Sequence, residues 1–329
     1  MPANLPPQYF EAERRYREAR SVPEKLEALK EMLAVMPKHK GTEKLQADIK
    51  RRIAKLKEEA QRGKKGGGKG YSLYVEREGA GQVTLAGLPN VGKSSLLAAL
   101  THAEPEIAEY PYTTRKPQPG MFEFENIGIQ FVDLPPLDPQ FMEPWVPGII
   151  RVSDAVLLIV DLASEDPLSQ AEQTLEILRS YKIEPVGHPV RPEPGAPVAE
   201  KPALLVGNRL DLPGAAENLQ ILSSLYAGRY RVLGVSAREG TGLAELGRSV
   251  YELLDIVRVY AKPPGKEPDK EKPFVFRRGS TLLDFAAAIH KDFVERLKFA
   301  RVWGKNKFDG QRVNRDYVLE EGDVIELHI

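Results

Sequence analysis

The chain has 329 residues, of which 42% are hydrophobic and none is cysteine. This length allows two or three domains with substantial cores, and the lack of cysteine excludes disulfide and thiolate chemistry. Lys plus Arg and Asp plus Glu both number 47, but the charges are unevenly spread: residues 1–70 carry 18 basic and 10 acidic side chains, and residues 71–260 carry 15 and 25.

This asymmetry has two interpretations at the N-terminal end. A basic segment can contact a polyanion such as RNA, or its lysines and arginines can simply be solvated helix faces. The longest apolar run, Ala155 to Val160, is far below the roughly 20 residues that span a bilayer, and the N-terminus is charged, unlike a secretion signal. We therefore predict a cytoplasmic protein without a membrane partner.

Residues 1–70 are predicted to form a helical hairpin followed by a basic Gly/Lys linker. Ser21 to Glu24 has a capping-box pattern with a proline near the first helical position, and apolar residues follow at helical spacing up to Pro37. An earlier helix is expected near Tyr9–Arg20 and a further one after Thr42. The segment 63–70 contains only glycine and lysine, which predicts a flexible, positively charged linker.

Residues 71–261 are predicted to form an α/β domain with a mostly parallel sheet covered on both faces, because short apolar strands alternate with helical stretches. The predicted strands are Val83–Ala86, Ile127–Val132, Val156–Val160, Ala203–Val206 and Arg231–Val235. The predicted helices are Ser94–Thr101, Pro167–Tyr181, Ala215–Ala227 and Leu243–Val259. The proline-rich stretch from Pro185 to Pro202 is predicted to be an irregular loop.

Residues 262–329 are predicted to form a small α+β domain after a Pro/Gly/Lys linker at 262–269. Phe274–Phe276, Arg301–Trp303 and Asp323–Leu327 have strand-like patterns, and Thr281 to Asp284 indicates a helix start.

A phosphate-binding loop is the first sign of chemistry. Gly87-Leu88-Pro89-Asn90-Val91-Gly92-Lys93-Ser94-Ser95 has two glycines and a Lys-Ser pair at the required spacing, directly after a predicted strand. Its glycines allow the backbone to wrap an anion at a helix N-terminus, where N–H groups favour negative charge. Lys93 is expected to reach the β- and γ-phosphates. Ser94 is expected to bind Mg²⁺, with Asp133 near the metal through water.

Two further segments predict selectivity for guanine. Asn208-Arg209-Leu210-Asp211 places a carboxylate that can accept from both N1–H and the 2-amino group of guanine, whereas adenine presents an acceptor at N1. The aliphatic stem of Arg209 can lie along the purine face. Ser236-Ala237 follows a predicted strand, and the Ala237 N–H is expected to contact the guanine O6.

With these motifs in order, residues from about 80 onward resemble the Obg-like GTPases, most closely the developmentally regulated GTP-binding (DRG) family with its C-terminal TGS domain. Further matching segments are Tyr110–Thr114, Asp133–Pro135, Val257–Tyr260, Ile289–Asp292 and Leu319–Val324. The resemblance implies a P-loop GTPase domain, a ubiquitin-like β-grasp TGS domain, and slow hydrolysis of GTP to GDP with Mg²⁺. It also implies that Thr114 is the switch threonine that contacts Mg²⁺ and the γ-phosphate.

Two residues depart from the family pattern. Pro136 replaces the glycine whose N–H senses the γ-phosphate, and proline has no N–H to donate. Leu137 replaces the glutamine that positions the attacking water in Ras-like proteins. The alternative function is therefore a GTP- or GDP-stabilised adaptor with little hydrolysis.

Cation and partner predictions complete the interpretation. Asn90 resembles the asparagine that helps hold K⁺ in potassium-dependent G proteins, and capping of its own loop is an equally good explanation. The basic N-terminal region and the TGS resemblance predict an association with ribosomes or RNA, and a protein regulator is a further expected partner.

Overall fold

We analysed a computed structural model, which describes residues 7–18, 22–36, 49, 51, 75–101, 116–138, 142–191, 193, 195–305 and 307–328. The chain divides into two compact units, Met1–Gly70 and Tyr71–Ile329. In the described part of the chain, no helix combines the length and the apolar character needed to cross a membrane.

The N-terminal unit contains two helices, Pro7–Glu18 and Val22–Val35. They pack through buried apolar side chains that include Tyr9, Ala12, Leu29 and Met32. The predicted linker and most of the helix expected after Thr42 lie outside the described residues.

The second unit begins with a seven-stranded sheet. Its strands are β1 (Gln82–Ala86), β2 (Gln118–Phe124), β3 (Ile127–Asp133), β4 (Ala155–Asp161), β5 (Ile183–Val186), β6 (Ala199–Asn208) and β7 (Val232–Gly234). The order is β2-β3-β1-β4-β6-β5, and β7 also pairs with β6. Only the β2–β3 pair is antiparallel.

Helices cover both faces of this sheet. Val146–Val152, Pro167–Ser180 and Ala215–Leu225 contribute to one apolar core. Lys93–Thr101 and Leu243–Leu254 contribute to the other. The strands between them are apolar on both sides, with Leu157 and Leu158 buried in opposite cores, which is the burial expected of a doubly covered parallel sheet.

Three local predictions differ from the structure. The helix predicted over 243–259 ends at Leu254, because Asp255 is left-handed and the β-branched residues that follow form a strand. The predicted loop over 185–202 contributes to both β5 and β6. The hairpin strand β2 was not predicted as a strand, since Pro119 and Gly120 interrupt its apolar pattern.

A five-stranded sheet forms the C-terminal domain. Its strands are β8 (Ile256–Ala261), β9 (Phe274–Arg277), β10 (Phe299–Trp303), β11 (Gln311–Val313) and β12 (Asp323–His328), in the order β11-β10-β12-β8-β9. The helix Leu282–Ile289 begins with a capping box between Thr281 and Asp284 and packs on one face. Because β8 pairs with β9 and β12, this sheet begins six residues before the predicted boundary at 262.

Arg258 joins this domain to the β2–β3 hairpin. Its Nε donates to Glu321 Oε1 over 2.7 Å, and its Nη1 contacts Glu125 and Asn126 at the hairpin turn. Asn126 Nδ2 in turn donates to the Tyr260 hydroxyl over 2.9 Å.

Candidate nucleotide-binding site

The carboxyl ends of five strands meet at one edge of the first sheet. β3, β1, β4, β6 and β7 are parallel neighbours, and their register places Leu85 beside Asp133 and Asp161 beside Asn208. The loop 87–95 and the segments after Asp133, Asn208 and Val235 therefore gather at this edge. An edge of this kind is where open α/β sheets bind ligands.

Both glycines of the 87–95 loop occupy positions that a side chain cannot share. Gly92 has a φ of 87°, and a Cβ there would lie 2.3 Å from Asn208 Nδ2. A Cβ at Gly87 would lie 2.5 Å from the main-chain oxygen of Ile159. The loop can follow this path only because both residues are glycine.

The loop presents main-chain donors. Within the described residues, the N–H groups from Asn90 to Ser95 have no acceptor, and the first helical bond runs from Leu96 N to Gly92 O over 2.9 Å. These donors precede or begin the nine-residue helix Lys93–Thr101. Consecutive unpaired N–H groups at a helix N-terminus form a site for an anion such as phosphate.

The Lys93 side chain folds back across this loop. Its Nζ donates to the main-chain oxygens of Gly87 and Leu88 over 3.1 Å each. Burial lowers the pKa of Lys93 to about 8, and the nearby Asp133 carboxylate opposes that shift. A buried ammonium held mainly by carbonyl oxygens gains strongly from a bound phosphate.

Asp133 and Ser94 form the acidic part of the site. Ser94 Oγ donates to Asp133 Oδ2 over 2.5 Å, whereas the buried Asp133 Oδ1 has no hydrogen-bond partner among the residues that the structure describes. Burial raises the pKa of the Asp133 carboxyl, and the Ser94 bond and the Lys93 charge oppose this shift. An orphaned carboxylate oxygen beside a hydroxyl is a donor set that fits Mg²⁺.

Asn208 holds three loops together. Its side chain, in a residue only 2% exposed, donates from Nδ2 to Val91 O over 3.1 Å. Its Oδ1 accepts from Arg209 N over 2.8 Å and from Ala237 N over 3.2 Å. The Ala237 N–H that the sequence assigned to guanine O6 therefore has an internal acceptor here.

Asp211 is positioned by Ser236. The buried Ser236 hydroxyl donates to Asp211 Oδ1 over 2.6 Å and accepts from Glu239 N over 3.0 Å. The Ser236 hydrogen bond lowers the pKa of Asp211, which keeps this half-exposed side chain ionised. The structure thus brings the predicted base-recognition carboxylate to the same edge as the phosphate loop.

The sequence analysis did not identify Asp161. Arg209 Nη1 donates to Asp161 Oδ2 over 2.5 Å, and its Nη2 donates to the main-chain oxygen of Asn90 over 2.9 Å. Arg209 and Asn90 both have left-handed backbones, with φ of 65° and 64°. Asp161 is the last residue of β4, which pairs with β6. A carboxylate at that strand end is the sequence signal that could have revealed this contact.

The segment after Asp133 is fixed to the phosphate loop. Leu137 is fully buried in the first core, and its N–H donates to Gly87 O over 3.0 Å. Leu137 therefore cannot orient a water molecule from its side chain. The predicted switch residue Thr114 lies outside the described residues.

Comparison with known proteins agrees with this architecture. Residues 82–187 match a family model described as a 50S ribosome-binding GTPase, and residues 257–329 match the TGS domain model. The structure resembles a GTP-binding protein from Pyrococcus horikoshii with a TM-score of 0.50 and 17% identity, over 75% of this chain and 99% of that one. At this identity the likeness supports the fold alone.

Sequence relatives extend over nearly the whole chain. A GTP-binding protein of Methanocaldococcus jannaschii is 31% identical over 94% of this chain and 93% of its own length. The developmentally-regulated GTP-binding protein 1 of Xenopus laevis is 27% identical, covering 90% and 95%. The ribosome-interacting GTPase 1 of Saccharomyces cerevisiae is 28% identical, covering 92% and 98%. The chain therefore belongs to the developmentally regulated GTP-binding protein family, with a P-loop GTPase domain followed by a C-terminal TGS domain.

Proposed function

We propose that this protein is a guanine-nucleotide switch that slowly hydrolyses GTP to GDP and phosphate and acts on the ribosome or on RNA in the cytoplasm. The observation that carries the proposal is the array of N–H groups from Asn90 to Ser95, which adjoins Lys93 and Asp133 Oδ1; neither the N–H groups nor that oxygen has a partner in the described part of the chain. These groups provide positive potential for phosphates and an oxygen ligand for a metal at one place.

Each residue has a role in this proposal. Lys93 and the loop N–H groups bind the β- and γ-phosphates, and Asp211, held by Ser236, accepts from the guanine ring. Ser94 and Asp133 would hold Mg²⁺, and the family resemblance adds Thr114. When bound, Mg²⁺ supplies positive charge to the phosphate oxygens.

In hydrolysis, water forms a bond to the γ-phosphorus while the bond from that phosphorus to the β–γ bridging oxygen breaks, which yields GDP and phosphate. Lys93 and the N–H groups stabilise the negative charge that accumulates on the bridging oxygen, which leaves with GDP. Position 137 holds a buried leucine and not a glutamine that could orient the water, which supports a slow intrinsic rate.

The segment after Asp133 supports a second candidate function. Pro136 cannot donate to a γ-phosphate, and Leu137 N is already bonded to Gly87 O. An adaptor that GTP or GDP merely stabilises would have these properties. It would bind GDP and a non-hydrolysable GTP analogue equally and would show no turnover.

The ribosome or RNA partner is supported by the name of the yeast relative, by the ribosome-binding GTPase model and by the excess of basic residues in 1–70. A basic segment binds phosphates in a salt-sensitive way. A protein regulator that completes the site in place of a glutamine is a further proposed partner.

The test is GTP turnover by the full chain with and without ribosomes, in K⁺ and in Na⁺. We expect slow turnover alone and faster turnover with ribosomes, and we expect Lys93→Ala to abolish both. Absence of turnover under all conditions, together with equal affinity for GDP and the analogue, would establish the adaptor instead.

A further inference from the structure

One face of the C-terminal sheet carries a group of basic and aromatic side chains that the nucleotide site does not use. Along β10, Ala300 and Val302 are buried in the domain core, so Phe299, Arg301 and Trp303 project to the opposite side. We define the outer sheet face as these three residues with Arg312 of β11 and His328 of β12.

The charges of this face are not neutralised. Arg301 lies directly opposite Arg312 in the antiparallel register. Like charges at opposite positions destabilise the pairing of two strands. On its other side Arg301 lies opposite Glu326, but that carboxylate accepts from Lys262 Nζ over 2.5 Å. Arg301 and Arg312 are exposed, and neither has an ion-pair partner within the described residues. Two adjacent unpaired guanidinium groups favour a polyanionic ligand.

The aromatic groups of the face are ordered by stacking. The Arg312 guanidinium lies 4.0 Å from the centroid of Phe299, and the Phe299 and His328 rings stack at 4.5 Å with an interplanar angle of 12°. This stacking holds Arg312 with its donors already oriented, so little side-chain entropy is lost when it binds a ligand.

An exposed aromatic ring, Phe308, precedes Arg312 by four residues in the sequence. Phe308, in the loop between β10 and β11, is 85% exposed, the highest exposure among the large hydrophobic side chains that the structure describes. The end of this loop lies against Trp303, because a Cβ on Gly310 would be 3.4 Å from that ring. An exposed phenyl ring in the loop that joins the two strands carrying Arg301 and Arg312 offers a platform for a nucleobase, and the arginines offer sites for its phosphates.

We propose that the outer sheet face and Phe308 bind single-stranded RNA, with phosphates at Arg301 and Arg312 and a base stacked on Phe308. This inference rests on the proposed association with ribosomes or RNA and assigns it a surface. Unpaired bases are required because a duplex does not expose base faces for stacking. An acidic protein would satisfy the arginines but would leave Phe308 without a specific role.

The experiment measures binding of the full chain to a labelled, unstructured RNA of twelve nucleotides by fluorescence anisotropy at several K⁺ concentrations. We expect Phe308→Ala to weaken binding by about tenfold and Phe308→Trp to restore it, since stacking tolerates any large ring. Arg301→Ala with Arg312→Ala should lower the slope of log K against log salt by about 1.4, the loss of two single-strand phosphate contacts. Arg296→Ala, an exposed arginine on the helix Lys291–Arg296, is the matched control and should change neither quantity.

Two results would overturn the proposal: binding by the Phe308 and arginine variants within twofold of the unmodified chain, or photocrosslinks to RNA that exclude residues 299–312. If polyglutamate competes as strongly as unlabelled RNA, and if Phe308→Ala does not change that competition, the surface binds an acidic protein instead. GTP turnover of the same variants without ribosomes should stay unchanged. Failure of ribosomes to stimulate the unmodified chain would count against the proposed function, while loss of RNA binding in these variants would still support the surface.

Discussion

Asn208 Nδ2 donates to the main-chain oxygen of Val91 over 3.1 Å, although the two residues are 117 positions apart. This bond joins the segment that carries Asp211, the proposed base-recognition carboxylate, to the proposed phosphate-binding loop. The same side chain accepts from Arg209 N and Ala237 N. Asn208 therefore sets the relative position of the predicted phosphate and base subsites.

We expect Asn208→Ala to lower the free energy of unfolding of the nucleotide-free protein by about 3 kcal/mol, because several buried polar groups lose their partner. Affinity for GDP should fall as well. Chemical denaturation and GDP titration measure the two effects. The control is Asn218→Ala, whose half-buried amide bonds Leu162 O over 2.8 Å away from this site. A loss below about 1 kcal/mol for Asn208→Ala would show that the three-loop bond network is unimportant.

The affinity for GDP should decrease as the pH rises above 8. Burial lowers the pKa of Lys93 to about 8 in the free protein, whereas bound phosphates stabilise the ammonium and raise that pKa. Above pH 8 binding therefore requires proton uptake, and the affinity should fall by up to about tenfold per pH unit. GDP titrations from pH 7 to 9 measure this dependence.

Two variants test whether Lys93 causes this pH dependence. Lys93→Arg keeps its charge at these pH values and should flatten the dependence. Lys201→Met removes the other buried lysine with a pKa of about 8 and should leave the dependence intact. In the nucleotide-free protein both lysines have folded pKa values below the unfolded value, so stability should rise between about pH 8 and 10.5. A flat GDP affinity in the unmodified chain would contradict the role of Lys93.

Pro136→Gly should allow the protein to distinguish GTP from GDP. The family resemblance puts Pro136 where relatives donate an N–H to the γ-phosphate, and glycine would restore that donor. A hydrogen bond to a charged group predicts an increase of about tenfold in the affinity for a non-hydrolysable GTP analogue relative to GDP. Pro135→Gly also loosens the backbone, but it adds its N–H one residue earlier and should leave the ratio unchanged. An equal ratio in both variants would be evidence against γ-phosphate sensing at position 136.

Hydrolysis should be faster in K⁺ than in Na⁺ at matched ionic strength. Asn90 has a left-handed backbone whose carbonyl accepts from Arg209 over 2.9 Å, so its main chain is held in the phosphate loop. If its side-chain oxygen holds K⁺, Asn90→Ala should remove the rate difference while GDP binding persists. Equal rates in the two salts for the unmodified chain would leave loop capping as the role of Asn90.

The sequence predicted the features that depend on local pattern. The 87–95 loop, the strand before Asn208 and the helix start at Thr281 all follow from spacing and residue type. The β8 strand was missed because its apolar residues continue the helical pattern of Leu243–Leu254, and its partners β9 and β12 are distant in sequence. The Asp161–Arg209 pair and the bond from Leu137 N to Gly87 O were also missed, since tertiary contacts alone create them.

The most direct test of the account is the choice of base at the site formed by Asp211. In the presence of Mg²⁺, unlabelled GDP should displace labelled GDP from the full chain at a concentration at least about a thousandfold lower than the ADP concentration with the same effect. The reason is that adenine leaves the Asp211 carboxylate facing an acceptor. Asp211→Asn should reverse the preference toward xanthosine diphosphate, whose 2-oxo group accepts from an amide. Displacement by ADP at the same concentrations as GDP, or an unchanged base preference in Asp211→Asn, would contradict the assignment of a guanine-nucleotide site.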